Sequence, residues 1–581
     1  TIYDNDAAFV VDSTADAVDA DPGDGVAEDD QGRTTLRAAI MEANASAGDD
    51  SIVVPAGTYT LSIEGTGEEL ATTGDLDITD TDGTLTIIGA GSELVTIDAG
   101  QLDRALDLHA GTDVAVTSLT ITNGLTAWQN DGGGIRVNDG QLTISHADIN
   151  NNDSGGSGGA ISISGASAVS ILHTDLSFNT SDLGGHGVYL AAGGTLSVED
   201  SVIDSNKGDS SGGGFLSDGD LHVTNSTVTN NEGVEGGGIH ASSSGPHSIT
   251  LLNTTLSGNQ AALGGGGAMI GAFSNASIVG CTLSGNSSPH GSGGALYLSF
   301  TADEANIYLT NNTITNNSAD YRGGGIFAST DSLTPVVSNT VIAGNSSDDA
   351  DDDAGNDIFG TFVSNGYNLI GDIGSAVGFT DGVDGDQVGT SESPIDPMLE
   401  PLADNGGPTL THRPRLLSPI IDVGDPFIVD RNDQRGVSGV SNGGGGGTLV
   451  DLDREHVITT NGSQFNSVFA ADVDGDGDTD VLSASEWDDK IAWYENDGSG
   501  SFTTHVITTN ADGAKSVFAA DVDGDGDMDV LSASLNDNKI AWYENDGNES
   551  FTTHVITTNA DDAYSVFAAD VDGDGDMDVL S

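Results

Sequence analysis

Basic residues are scarce in this chain: 14 Lys and Arg stand against 91 Asp and Glu, a formal net charge of −77 over 581 residues. A surface of that sign repels nucleic acid, anionic lipid and acidic polysaccharide, so no nucleic-acid partner is expected. It suits a salty or calcium-rich medium, where charges are screened. Cysteine is nearly absent. With Cys281 alone, an intrachain disulfide framework is ruled out. No run of 18 apolar residues occurs, so no membrane-spanning helix is expected. Proline is low, at 12 residues against 83 glycines, and alternating apolar runs persist throughout, which points to several β-rich domains rather than disorder. The chain begins at Thr1 without Met or signal peptide and ends at Ser581 inside a repeat; we read it as a mature or partial piece of a longer protein.

What is abundant is repetition. One short pattern recurs eight times, ending in Asn152, Asn179, Asn206, Asn231, Asn259, Asn286, Asn317 and Asn345, at spacings of 25–31 residues. Apolar residues stand three and eight positions before each Asn, as at Ile149 and Ile144 or Leu176 and Ile171. A Gly-rich step then leads into another apolar residue, such as Ile161, Val188 or Phe215. A period of this length signals stacked repeats. Within each unit, Val, Ile, Leu and Thr alternate in short runs bounded by Gly, Asn and Ser, which is strand-and-turn chemistry without a helical period. About 27 residues accommodate three strands and three turns, one coil of a parallel β-helix. Stacking would turn the Asn column into a ladder at a turn, where Asn tolerates left-handed angles and its amide can bond its neighbour. Cys281 falls in the column of Ala147, Thr174, Ser201, Ser226, Thr254, Asn312 and Thr340, and so reads as a small packing residue.

Taken in order, residues 1–50 form an N-terminal cap. Leu36, Ile40 and Ala43 share one helical face, the only convincing helix, placed to cover the open end of a β-helix. The segment resembles the LREA-type N-terminal element of bacterial secreted β-helix proteins, with Ala38 in place of its Glu and Thr34 or Thr35 in place of its Cys. Residues 51–346 are the β-helix; Ile52–Tyr59 looks like a first coil of pectate-lyase-like proteins. The Gly-Gly-apolar steps with the Asn column resemble right-handed parallel β-helices of polymorphic surface proteins. Residues 347–440 leave the register; Pro401-Leu402-Ala403-Asp404-Asn405-Gly406-Gly407-Pro408 and Asp433-Gln434-Arg435-Gly436 are similar to a choice-of-anchor Q region, which implies an exported, surface-associated protein. A glycine-rich linker, residues 441–450, should let its two flanks move independently.

Residues 451–581 carry a second repeat with period 49, two units and part of a third, with four β-runs each. Inside it, DVDGDGDTD at 472–480 returns as DVDGDGDMD at 521–529 and 570–578. Five carboxylates in nine residues repel one another unless a cation sits among them. The candidate ligands are Asp472, Asp474, Asp476, Asp478 and Asp480, then Asp521, Asp523, Asp525, Asp527 and Asp529, then Asp570, Asp572, Asp574, Asp576 and Asp578. Position seven would give a backbone carbonyl, the others side-chain oxygens. An all-oxygen set favours Ca2+. Ser483 and Ser532 stand where an EF-hand needs Glu, and β-runs flank the loop, so an EF-hand is excluded. The units resemble FG-GAP/VCBS-type repeats, and that resemblance implies ligand roles for Asp472, Asp474, Asp476, Asp480 and their equivalents.

The expected fold is therefore all-β: a right-handed parallel β-helix with a capping helix, then propeller-type repeats. For catalysis the sequence offers little. His146, His173 and Asp200 share a turn column, with Asp148 and Asp175 two columns over; the bland reading is solvated turn residues. Arg104, Arg136, Lys207 and Arg322 look scattered, which argues against a polyuronate lyase. The expected function is a non-catalytic extracellular or cell-surface protein, with carbohydrate or another surface protein as partner. A polysaccharide-active enzyme is the alternative.

Overall fold

The computed structural model describes the chain except residues 1–6, 243–244, 246, 272–273, 300–305, 330–333, 349–355, 422, 425–432, 436–457, 460–462, 477–478, 497–501, 548–549 and 570–576. The linker and most of the Asp348–Asp353 run lie outside the described residues. The chain divides into two compact units, Thr1–Val450 and Asp451–Ser581.

The first unit is a parallel β-solenoid. Three long sheets of 13, 11 and 13 strands run its length. The first extends from Ala8–Val10 to Val363–Ser364, the second from Leu76–Ile78 to Ile358–Phe359, the third from Gly57–Thr60 to Gln387–Val388. Register is kept residue for residue: Ile144 faces Ile171, which faces Val198, then Val223 and Leu251. Alternation along each strand sends these residues inward, and they form one continuous core with almost no exposure. A fourth, short run of strands, from Glu232–Glu235 to Ser346–Ser347, follows the Asn column.

The expected ladder is present. Asn206 accepts at Oδ1 from the backbone N–H of Asn179 (3.0 Å) and from its side-chain amide (2.9 Å), while its own amide donates to Asn231 Oδ1 (3.0 Å) and to Leu176 O (3.0 Å). The left-handed backbone, however, belongs to the residue before each ladder Asn: Asn151, Phe178, Ser205, Asn230 and Asn316 have φ of 53–58°, and Gly258, Gly285 and Gly344 fill the same place. The ladder Asn is there for its amide rather than for backbone freedom. A second ladder runs through the Cys281 column: Thr174 N–H donates to Ser201 Oγ (3.1 Å), and Cys281 N–H to Asn312 Oδ1 (2.9 Å). Gly-Gly steps are required by close approach; a Cβ on Gly237 would lie 2.4 Å from Gln260 O.

Helix α1, Leu36–Ala43, starts from Thr35, whose hydroxyl accepts from Ala38 N–H. It covers the end of the solenoid as expected, yet all eight residues are buried, because residues 11–33 wrap its outer side. Glu42 takes the N–H groups of Gly23 and Gly25, and Arg37 donates to the carbonyls of Ala71, Gly74 and Asp75.

After Asn345 the sheets continue through Ile358–Phe359, Val363–Ser364 and Leu369–Ile370, each in parallel register. The chain then runs back along the outside of the third sheet. Thr255 Oγ1 donates to Leu410 O (2.7 Å), His412 Nε2 meets Ser284 Oγ (2.8 Å), and Gln434 bridges Thr255, Thr282 and Thr409.

The second unit is antiparallel. Phe465–Ala471, Asp480–Ser485, Lys490–Asn496 and Phe502–Thr508 form one four-stranded sheet; Ala514–Ala520, Asp529–Ser534, Lys539–Asn545 and Phe551–Thr557 form the next; Phe567–Ala569 pairs with Asp578–Leu580. Phe469, Phe518 and Phe567 pack sheet to sheet with centroids 4.6 Å apart.

Candidate functional site

Each aspartate loop joins the first two strands of its sheet. In the first loop, oxygens of Asp472, Asp474 and Asp480 lie within 4.8 Å of one another; in the second, so do those of Asp521, Asp523 and Asp529. The last residue of each trio opens a strand and is fully buried. Asp480 is held by the N–H groups of Val473 (2.9 Å) and Asn496 (2.7 Å), and Asp529 by those of Val522 (2.9 Å) and Asn545 (2.7 Å). Asp472 accepts from Gly475 N–H (2.9 Å) and Asp521 from Gly524 N–H (2.8 Å), turns that need the positive φ of 76° at both glycines. Burial is the largest cause raising the pKa of Asp474, Asp480 and Asp529, and neighbouring aspartates add to it.

The two loops thus make the same cup twice, with positions one, three and nine converging. Position five does not join the trio: Asp525 Oδ1 caps Asp527 N–H (3.0 Å). Asp476 likewise stands outside its trio. Asp478, Asp570, Asp572, Asp574 and Asp576 lie outside the described residues. Asp578, exposed, opens the last strand of the chain.

The imidazole column is brought together, on an open surface. His146 and His173 rings are 5.0 Å apart, and His173 Nδ1 is 3.8 Å from Asp200 Oδ2 with half its side chain exposed. Asp148 pairs with Asp175 in the third sheet. His146, His173 and Asp200 all have φ near 50°, the same left-handed turn that Asn225, Asn253, Asn311 and Asn339 make in later coils. The geometry is that of a turn column.

A carboxylate cluster near the start of the second sheet escaped sequence reasoning. Asp77, Asp107 and Arg136 stand in one outward column, so Arg104 and Arg136 are not scattered as expected. Arg104 donates to Asp75 (2.7 Å) and Asp107 (3.0 Å), and Arg136 forks onto Asp107. His109 bridges Asp77 (3.1 Å) and Glu69 (3.3 Å). Asp75, Asp77 and Asp107 are almost wholly buried beneath the segment that carries Ala71. Burial pushes Asp75 up to about 7 and Asp77 to about 6. The available signal was the recurring apolar-Asp-apolar triplet, Leu76-Asp77-Ile78 and Leu106-Asp107-Leu108.

Comparison with known proteins follows these two halves. Residues 102–261 match the right-handed β-helix region family. Residues 472–532 and 521–581 match the FG-GAP-like repeat family. The solenoid is thus right-handed. No curated protein matches the chain. Among solved structures, the catalytic domain of a GH87 α-1,3-glucanase in complex with tetrasaccharides is 14% identical, over 63% of this chain and 70% of that one, at a TM-score of 0.35. The A-module of an Azotobacter vinelandii mannuronan C-5 epimerase, AlgE6, is 14% identical over 58% and 89%, at 0.30.

Proposed function

We propose that this chain is a non-catalytic extracellular or cell-surface protein, a β-solenoid carrier joined to Ca2+-binding repeats, working in adhesion or carbohydrate binding. The observation that carries it is the duplicated cup: three carboxylates converge at Asp472/Asp474/Asp480 and again at Asp521/Asp523/Asp529. In each cup the deepest carboxylate is buried and pinned by backbone N–H groups. The donor set is all oxygen, which fits a hard cation with flexible coordination. When bound, Ca2+ supplies the positive charge that the converging carboxylates lack, and it stiffens the loop. Exposed cups of this kind fill in a calcium-rich medium, which supports a place outside the cell.

A polysaccharide-active enzyme is the second reading. Asp75 and Asp77 favour it, since carboxyls at about 7 and 6 sit where a general acid operates. Their burial under the Ala71 segment and their ties to Arg104 and His109 weigh toward a structural cluster.

Calorimetric titration of the full chain with CaCl2 tests the leading reading. At least two ions should bind per chain, and Asp474→Asn with Asp523→Asn should remove two. Absence of binding, or binding unchanged in the double variant, would sink the proposal.

A further inference from the structure

The outer face of the first sheet holds a cavity of about 410 Å³, lined by Ser248, Thr250, Asn275, Ser277, Asn306 and Tyr308 with the backbone at Ile249 and Ala276. It shares no residue with either carboxylate site. Thr250 pairs in register with Ser277, and Ser277 with Tyr308, so these residues stand in one row across three adjacent coils, their backbones roughly one strand spacing of 4.8 Å apart, with the Tyr308 ring reaching out beyond the two aliphatic hydroxyls. Thr250 and Ser277 are half-buried, and Tyr308 is 49% exposed. On one wall the Asn306 backbone N–H donates to Asn275 Oδ1 (2.9 Å). On the other, Asp220 Oδ1 accepts both the N–H and the hydroxyl of Ser248, at 2.7 Å each.

We infer that this cavity binds a neutral saccharide through the row formed by Thr250, Ser277 and Tyr308. The inference rests on the carbohydrate-binding part of the proposed function. Three properties select the ligand class. Among the described residues the lining contains hydroxyls and amides and no carboxylate, guanidinium or ammonium, which suits a ligand that exchanges hydrogen bonds and carries no charge. An anion would meet no positive partner inside a −77 field. An extended peptide has no edge to join, because Ser274–Val279 is paired on both sides, with His247–Leu252 and Ile307–Thr310. Tyr308 adds a half-exposed ring of the kind on which the apolar face of a pyranose packs.

The test is calorimetric titration of the full chain, in calcium, with cellohexaose, laminarihexaose, maltohexaose and a galacturonate hexamer. At least one neutral hexamer should bind and the galacturonate should not. Tyr308→Ala should weaken that binding at least tenfold and Ser277→Ala several-fold, with melting unchanged because both side chains point outward. The Asp474→Asn/Asp523→Asn variant should bind the sugar as the parent does, which separates this inference from the fate of the calcium proposal. Failure of every neutral hexamer, equal or tighter galacturonate binding, full affinity in Tyr308→Ala, or loss of sugar binding in the loop variant would each overturn it.

Discussion

The two units treat their carboxylates in opposite ways. In the solenoid, several buried acids are matched by side chains of the same unit: Asp107 by Arg104 and Arg136, Asp16 by Arg37, Asp77 by His109 and a backbone N–H. Its long ladders avoid charge, using Asn amides that donate and accept at every coil. In the repeats, by contrast, each cup gathers three carboxylates with backbone N–H groups and no basic side chain in the trio. The difference lies in where the compensating charge comes from. A solenoid coil gains its partners from the coils above and below, so it is complete once stacked. An aspartate cup is complete only with a cation from solution.

Breaking the solenoid's side of this comparison should give the largest effect. Asn206→Ala removes an acceptor for Asn179 and a donor for Leu176 O and Asn231 Oδ1, all buried. Leaving several buried polar groups unmatched costs on the order of 3–5 kcal/mol. Chemical denaturation should show that loss in the solenoid transition alone, with the repeats unchanged.

A smaller effect belongs to Asp75. Its folded pKa of about 7 lies above the ordinary value of 3.8. A raised carboxyl favours the folded state while protonated, so its contribution is complete below about pH 4 and is lost as the pH rises through about 7. The wild-type solenoid should therefore lose stability over that window, by a few kcal/mol from this group, and Asp75→Asn should flatten the slope. Denaturant midpoints at pH 5 and pH 8 for both proteins check this. Equal slopes would mean that Asp75 is ionised throughout and fully matched by Arg104.

Much of the fold was legible because it repeats. The Asn spacing predicted the ladder, the apolar columns predicted the core, and Leu36, Ile40 and Ala43 located the helix. Properties that depend on one coil reading another were harder to see. Which residue of the turn takes the left-handed backbone is decided by coil closure, and the Asn signal masked it: Phe178 carries no turn signature, yet occupies that place. Arg136 and Asp107 are 29 positions apart in coils of irregular length, so only strand register places them in a shared column. The return of the chain across the third sheet, seen at Leu410, His412 and Gln434, joins Gln434 to Thr255, 179 positions away, and no local pattern encodes such a contact. The aspartate loops were read from sequence because their chemistry is contained in nine consecutive residues. What sequence did not resolve is which aspartates converge: positions one, three and nine do, while Asp525 turns to its own backbone.

The difference between the two units can be measured directly by thermal melts of the full chain in CaCl2 and in excess chelator. Two transitions are expected. Chelation should lower the one belonging to residues 451–581 and leave the solenoid transition in place, and Asp474→Asn with Asp523→Asn should reproduce the chelated profile in the presence of calcium. A repeat transition that chelator leaves unmoved, or a solenoid transition that shifts with it, would contradict the account.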